Sequence, residues 1–180
     1  MKHFLTMALG LLMVAAMQAQ SFTAADWATA QSLTDGSAVG SIQQDGVTIS
    51  FSQGTGTQPT YNLSQLAVAA ASGNTLTLTA ADGYELTNAD FVMYRAAQAT
   101  NLASASWSTG NATANDTKVT WTGNNQSVTV TLNNTARFIS FAITTAQKAA
   151  PIVEDESKYN DTTTLSIAQW INDEGFSDGE

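Results

Sequence analysis

Two segments of the chain alternate between apolar and polar residues at every position. They are Asn74–Thr79, with leucines at positions 76 and 78, and Ser127–Leu132, with apolar residues at 128, 130 and 132. Successive side chains of an extended strand point to opposite faces of a sheet. The pattern therefore predicts two strands whose leucines and valines are buried and whose threonines face water.

Shorter segments repeat this alternation between turn-forming pairs such as Asp35-Gly36, Asp45-Gly46 and Asp82-Gly83. The further strands predicted are Val47–Phe51, Leu66–Ala71, Leu86–Tyr94, the region of Trp107, Thr117–Trp121 and Phe138–Thr144. About seven to nine short strands separated by turns are typical of an all-β protein, specifically an antiparallel β-sandwich. This module is expected to span residues 22–145.

Several local features of the module are predicted as well. Residues 96–106 and 110–116 are expected to be loops, and Ile139, Phe141 and Ile143 are expected to face inward. Strand 86–94 carries apolar residues on both faces, so both faces are expected to be partly covered, as in a central strand of a two-layer structure.

Two further features concern the connections around the strands. Thr117–Trp121 is expected to form a hairpin with the strand from Ser127 through Gly123-Asn124-Asn125. Thr23 either caps a short helix through Ala28 or lies in an irregular edge strand.

The two ends of the chain differ from this module. Residues 1–19 combine a basic start, an apolar run and small residues near Ala19, the pattern of a secretory signal peptide. The alternative is a helix at the start of the mature protein. Residues 146–164 are acidic and poor in apolar residues, which predicts a flexible linker. Residues 165–180 have helical spacing and predict a short helix, the start of a truncated second module.

Composition narrows the functional classes. The formal net charge is −9, and basic residues form no cluster in the sequence, so nucleic-acid binding is not expected. The chain has no cysteine, which rules out disulfides and thiolate chemistry. Its single histidine is His3, inside the predicted leader, so the mature protein would lack nucleophile–histidine pairs. No cofactor is predicted.

Carboxylates are the remaining candidates for catalysis or metal binding. Asp82, Glu85 and Asp90 form the nearest acidic group, but a turn former and two solvated side chains explain them better than an acid–base pair does. A calcium site that uses Asn111, Asn115 and Asp116 is conceivable. Polar capping of a loop is the simpler interpretation, and neither a catalytic nor a metal site is predicted.

Aromatic residues are the candidates for ligand binding, because exposed rings stack on sugars. The rings considered are Trp27, Tyr61, Tyr84, Tyr94, Trp107 and Trp121. Trp121 alternates in phase with Val119 and is expected in the core. Tyr61 and Trp107 lie beside loops rich in Gly or Asn and are expected to be exposed, with Asn111 and Asn124 supplying hydrogen bonds. Thr162 lies in a short pattern, Asp161-Thr162-Thr163, that fits O-glycosylation.

The order of the strand motifs resembles a β-sandwich module of secreted and cell-surface Bacteroidetes proteins. The residues that carry this resemblance are Gly46–Phe51, Asn74–Leu86, Trp121–Val130 and Phe138–Thr144. Ahead of Asn74, where that family has a basic-aromatic strand, this chain has Leu66–Ala71. The resemblance covers roughly residues 22–145 and implies no catalytic residue.

Export, the strand pattern and the resemblance together lead to one expectation of function. The protein is expected to be a non-catalytic module in the periplasm, on the outer surface or outside the cell. It would bind a polysaccharide or another surface protein, or serve as a spacer, and its mature chain would have no transmembrane segment. The alternative is an accessory domain of a secreted hydrolase whose catalytic domain lies outside this chain.

The predicted leader leads to a direct test. The protein recovered from the envelope or medium of its host is expected to begin between Met17 and Ser21, because the small residues before that point suit signal peptidase. N-terminal sequencing measures this. An exported protein that still begins at Met1 would contradict the prediction.

Overall fold

A computed structural model describes residues 18–149 of the chain. Strands hold 54% of these residues and helices 14%, and the strands form two antiparallel sheets. The arrangement is consistent with a β-sandwich, so the predicted mostly-β, antiparallel fold is confirmed. The predicted leader, apart from residues 18 and 19, lies outside the described residues. So do the linker from residue 150 onward, Thr162 and the C-terminal helix.

The elements follow one another with short connections. In chain order they are β1 (Gln18–Thr23), α1 (Ala24–Ala30), β2 (Ser41–Gln44), β3 (Val47–Ser52), β4 (Thr60–Asn62), a 3-10 turn (Leu63–Gln65), β5 (Ala67–Ala70), β6 (Thr75–Ala80), β7 (Tyr84–Met93), α2 (Ala96–Ala103), β8 (Ser106–Trp107), β9 (Asn111–Asn115), β10 (Lys118–Asn125), β11 (Ser127–Thr131) and β12 (Ala136–Gln147). None of the helices in this part of the chain has the length and apolar character needed to cross a membrane.

The strands divide between a larger and a smaller sheet. The larger sheet has the order β4-β5-β12-β7-β10-β9, and β1 pairs with β12 beside β5. The smaller sheet has the order β2-β3-β6-β11-β8. Buried side chains from both sheets and both helices belong to one hydrophobic cluster. The core therefore lies between the two sheets, as apolar burial requires.

The twelve strands of the described region exceed the expected seven to nine. The added strands, such as β1, β2, β4 and β9, are short or lack strict alternation of apolar and polar residues, so the sequence pattern does not indicate them. The predicted hairpin is also wrong. β10 pairs with β7 and β9, whereas β11 pairs with β6 and β8, so the chain crosses from one sheet to the other near Gln126. Both strands still bury their apolar residues, because they face the same core from opposite sides.

Two segments that were expected to be loops are regular elements. Residues 96–103 form α2, in which Ala99 and Leu102 are buried. Alanine is the strongest helix former, and four of these eight residues are alanine. Residues 111–115 form β9, an edge strand that pairs with β10. Most of its side chains are exposed, so the sequence shows no apolar alternation there.

The partial cover expected on both faces of β7 is found, but it is uneven. Its inner face buries Phe91 and Met93, whereas Val92 and Tyr94 on the other face are 37% and 40% exposed. The second face of the larger sheet is therefore open to solvent at this position, and its apolar side chains lie on the protein surface.

The inward pattern of β12 also differs from the prediction. Phe138, Phe141 and Ile143 are buried, but Ile139 is only half-buried. The register with β7 shifts between Phe138 and Ser140, which makes Ile139 the extra residue of a β-bulge. A bulge changes the phase of the alternation, so Phe138 and Phe141 point into the same core although they are three residues apart.

Both interpretations of Thr23 are correct, because a strand ends at this residue and a helix begins directly after it. It is the last residue of β1 and the N-cap of α1. The Asp26 backbone N–H donates to the Thr23 hydroxyl at 3.1 Å, and the Asp26 carboxylate accepts from the Thr23 backbone N–H at 2.8 Å. This capping box satisfies free amides at the start of the helix. The bonds from the Thr23 backbone and hydroxyl lower the pKa of Asp26.

Trp121 is enclosed by the backbone of its own sheet, which confirms its predicted place in the core. The ring is 0% exposed, and its Nε1–H donates to the Thr109 carbonyl at 2.8 Å. Gly110 and Gly123 lie so close to the ring that a Cβ on either residue would overlap with it. The two glycines therefore leave the space that the indole fills.

The close approach of Gly123 predicts the effect of one added methyl group. Gly123→Ala is expected to destabilise the fold by roughly 1–3 kcal/mol, because the methyl overlaps with the Trp121 ring. Gly40→Ala is the matched control, since neither glycine has a positive φ and a Cβ at Gly40 meets no atom within 4 Å. Urea unfolding of both variants measures the difference. Equal midpoints for the two variants would contradict the packing described for Trp121.

Candidate functional site

Tyr61, the first residue expected to bind a ligand, is buried. It lies in β4, opposite Val68 of β5, and only 3% of its surface is exposed. The three residues of β4 alternate, so the ring of the central residue points into the core while its neighbours face outward. The expectation that Tyr61 is an exposed stacking ring is therefore wrong.

Trp107 is half-buried and packs against other aromatic rings. Its ring stacks on Trp121 with centroids 6.4 Å apart and an interplanar angle of 23°, and Phe91 lies 6.0 Å away. Its Nε1–H donates to the Leu102 carbonyl at 3.0 Å. These contacts cover one face of the ring and use its polar atom, so Trp107 is packed into the aromatic cluster rather than freely exposed.

Asn111 and Asn124 are exposed as expected, but the structure does not bring them to Tyr61. Asn111 starts β9 at one edge of the larger sheet, and Tyr61 lies in β4 at the other edge. Five strand spacings separate these edges, a distance of about 24 Å. The four residues proposed from the sequence therefore do not form one site.

Two of the three acidic residues considered for catalysis, Asp82 and Asp90, have structural partners. Asp82 accepts a hydrogen bond from the Gln126 side chain at 3.0 Å. Asp90 forms a 2.8 Å salt bridge with Lys118 and accepts from the Thr120 hydroxyl at 2.6 Å. Partial burial raises the pKa of Asp90, but the bonds from Lys118 and Thr120 outweigh it and leave the pKa lowered. Asp90 is therefore a stable anion at neutral pH rather than a proton donor.

The calcium ligands considered from the sequence lie on or beside β9. Asn111 and Asn115 are the first and last residues of this strand, and Asp116 follows with a positive φ of 50°. Residues 18–149 contain no group of three or more acidic, histidine or cysteine side chains that could hold a metal ion.

Exposed large hydrophobic side chains mark two other places on the described surface. They form two pairs: Leu63 with Leu66, and Val92 with Tyr94. Large apolar side chains that stay exposed together are more informative than isolated ones, because contiguous apolar surface is typical of binding sites. Each pair has its own surroundings.

The leucine pair lines a shallow groove beside α1. The groove has a volume of about 440 Å³, and its lining includes Ala28, Leu33 and the edge of Tyr61. Leu66 has a positive φ of 48° at the end of the 3-10 turn, which turns its side chain out of the strand that follows. The lining has no charged residue and few hydrogen-bonding groups, so this groove offers little chemistry for specific recognition.

The second pair lies on the open face of the larger sheet, and we call its surroundings the Tyr94 face. It comprises Val92 of β7, Tyr94 just after β7, Arg95 before α2, Arg137 of β12 and Lys118 of β10. Arg95, Arg137 and Lys118 are three of the four basic residues in the described region. The fold therefore gathers cationic side chains that are far apart in the sequence around one exposed ring.

Backbone register fixes the neighbours of Tyr94. Its N–H donates to the Arg137 carbonyl at 3.0 Å, and the adjacent pair Phe138–Met93 places Arg137 directly opposite it. Opposite residues on paired strands have Cβ atoms about 5 Å apart. The Arg95 guanidinium lies over the Tyr94 ring, with its carbon 5.6 Å from the centroid. A phenol ring and two guanidinium groups thus share one patch of surface.

The Tyr94 face is also shallow on the side of β12. Ser140 is opposite Val92, Ala142 is opposite Asp90, and Ala69 of β5 is opposite Arg137. These side chains are small, although Ile139, the half-buried extra residue of the bulge, lies next to Ser140. Small side chains beside an exposed ring leave room for an extended ligand such as a glycan chain.

Comparisons with protein-family models, curated proteins and solved structures found no match to this chain.

The sequence alone gave one hint of the Tyr94 face, the pair Tyr94-Arg95 at the end of a strand. Tyr94 was among the six aromatic residues considered, but its neighbours in the sequence did not distinguish it. Arg137 and Lys118 reach the same place only through the pairing of β12 and β10 with β7. That pairing is not visible in the sequence.

The packing of Trp107 and the exposure of Tyr94 predict that substitutions at the two positions differ in their effect on stability. Trp107→Ala is expected to destabilise the fold by roughly 2–4 kcal/mol, since it removes a half-buried ring from an aromatic stack. Tyr94→Ala, at an exposed position, is expected to change stability by less than about 0.5 kcal/mol. Urea unfolding of both variants tests this. A Trp107→Ala protein as stable as the wild type would restore the ring as a candidate sugar platform.

Proposed function

We propose that this chain is an exported, non-catalytic β-sandwich module that binds a glycan or a surface partner through the Tyr94 face. The observation that carries the proposal is the exposed Tyr94 ring with Arg95 over it and Arg137 opposite it. An exposed aromatic ring flanked by hydrogen-bond donors supplies both stacking and directional contacts.

The export part of the proposal rests on the leader pattern of residues 1–19. The resemblance to β-sandwich modules of secreted and cell-surface Bacteroidetes proteins supports the same placement. A larger protein that carries such a module would use it to hold the rest of the chain near its target.

The proposal assigns the ligand contacts to a sheet face rather than to loops. Tyr61 is buried and Trp107 packs on Trp121, which leaves Tyr94 as the aromatic side chain of the described region that is exposed by more than a third. A sheet face is rigid, so little conformational entropy is lost when a ligand binds to it.

Tyr94→Ala tests the proposal against a matched control. On a glycan array or on host-surface extracts, this variant is expected to lose about tenfold in affinity, the effect typical of removing an aromatic contact at the centre of a site. Leu63→Ala removes an exposed apolar side chain from the groove beside α1 and is expected to bind like the wild type. Unfolding midpoints close to the wild-type value show that both variants are folded.

Two outcomes would contradict the proposal. Equal losses in the two variants would mean that the binding is nonspecific. Absence of binding by the wild-type chain to every glycan and surface fraction tested would favour a structural spacer instead.

A further inference from the structure

We infer that the ligand of the Tyr94 face is an acidic polysaccharide whose sugar units carry carboxylates, that is, a uronate polymer. This inference rests on the proposed function and adds the chemical class of the ligand. It follows from the charges on the face, from their partners and from the shape of the surface beside β12.

The charges on the face are unusual for this protein. The described region has seven acidic and four basic residues, yet two arginines flank the single exposed ring. The salt bridge found within residues 18–149 joins Lys118 to Asp90, and neither arginine takes part in it. Arg137 Nε is buried without a hydrogen-bond partner in this region. No carboxylate of the described region therefore neutralises either guanidinium group.

The guanidinium groups also select the kind of anion. A planar guanidinium donates two parallel hydrogen bonds to a carboxylate, which gives both direction and strength. Arg95 is held over the Tyr94 ring by a cation–π contact, so less side-chain entropy is lost when it binds. A lysine acts on any anion as a point charge, whereas an arginine favours an anion that presents two oxygens side by side, as a sugar carboxylate does.

The shape of the surface favours a sugar polymer over a compact ion. The surface beside Tyr94 includes the small residues Ala69 of β5 and Ser140 and Ala142 of β12. A pyranose ring placed there contacts the tyrosine while its carboxylate reaches Arg137. The next sugars of an extended chain continue along the open sheet.

Asp116 defines the side from which the ligand approaches. Met93 donates to the Thr117 carbonyl, which places the turn at Asp116-Thr117 beside the end of β7, just before Tyr94. The charge of Asp116 repels a carboxylate, while Asp90 is already paired with Lys118. The anionic group is therefore placed on the side of β12, between Tyr94 and Arg137.

The test measures binding of the full chain to four polymers at low and high salt. They are polygalacturonate, the same polymer with its carboxyls reduced to alcohols, dextran sulfate and poly-glutamate. Polygalacturonate is expected to bind best and to weaken as salt increases, because screening shortens the reach of the arginine charges. Arg95→Gln and Arg137→Gln are each expected to weaken this binding about tenfold. Asp116→Asn is the control of opposite sign and is expected to strengthen it about twofold.

Each other result overturns the inference in a distinguishable way. Equal binding of poly-glutamate would mean that charge alone is recognised, and stronger binding of dextran sulfate would assign the site to sulfate. Unchanged binding in both arginine variants would place the polymer elsewhere. If the reduced polymer binds, and its binding depends on Tyr94 but not on the arginines, the ligand does not need a carboxylate. The inference then fails, while the proposed function stands. If none of the wild-type binding depends on Tyr94, both fail.

Discussion

The bulge at Ile139 is the local feature on which the core depends. It brings Phe138 and Phe141 to the same side of β12, and Phe141 then contacts rings from four other elements. These rings are Phe22 of β1, Trp27 of α1, Phe51 of β3 and Phe91 of β7, with centroids 5.2–6.4 Å from that of Phe141. Each such pair adds about 0.5–1.5 kcal/mol beyond burial of the ring. Because β3 belongs to the smaller sheet, this cluster joins the two sheets.

A second irregularity keeps the rest of β12 in phase with its neighbour. Thr144 pairs with Asn88 and Thr145 with Leu86, so Thr87 is the extra residue on β7. Leu86 and Ala89 consequently both face the core, as Phe138 and Phe141 do on the partner strand. The two long central strands thus stay paired across both bulges. Strands with local alternation, such as β3, β6 and β11, have no bulge in their register, and their burial could be read directly from the sequence.

The limit of the sequence analysis follows from this difference. A pattern with period two predicts which side chains share a face, but it does not show where a bulge inverts the faces or which sheet a strand joins. The missed crossing between β10 and β11 and the misplaced Ile139 are both of this kind. The same limit applies to the candidate site, because the sequence indicates the exposure of Tyr61 and Trp107 only through the loops beside them. Their exposure is set by β5, α2 and Trp121, which lie elsewhere in the chain.

The two outer faces differ in what they leave for a ligand. On the smaller sheet, hydroxyls of neighbouring strands bond to one another: Thr77 to Thr129 at 2.9 Å and Thr79 to Ser127 at 3.1 Å. These cross-strand pairs support the sheet, and their mutual bonds compete with binding to anything else. On the larger sheet, strand pairing gathers Tyr94, Arg95 and Arg137 without using their polar groups among themselves. The proposed binding function is therefore assigned to the larger sheet, where the arginine donors have no carboxylate partner in the described region.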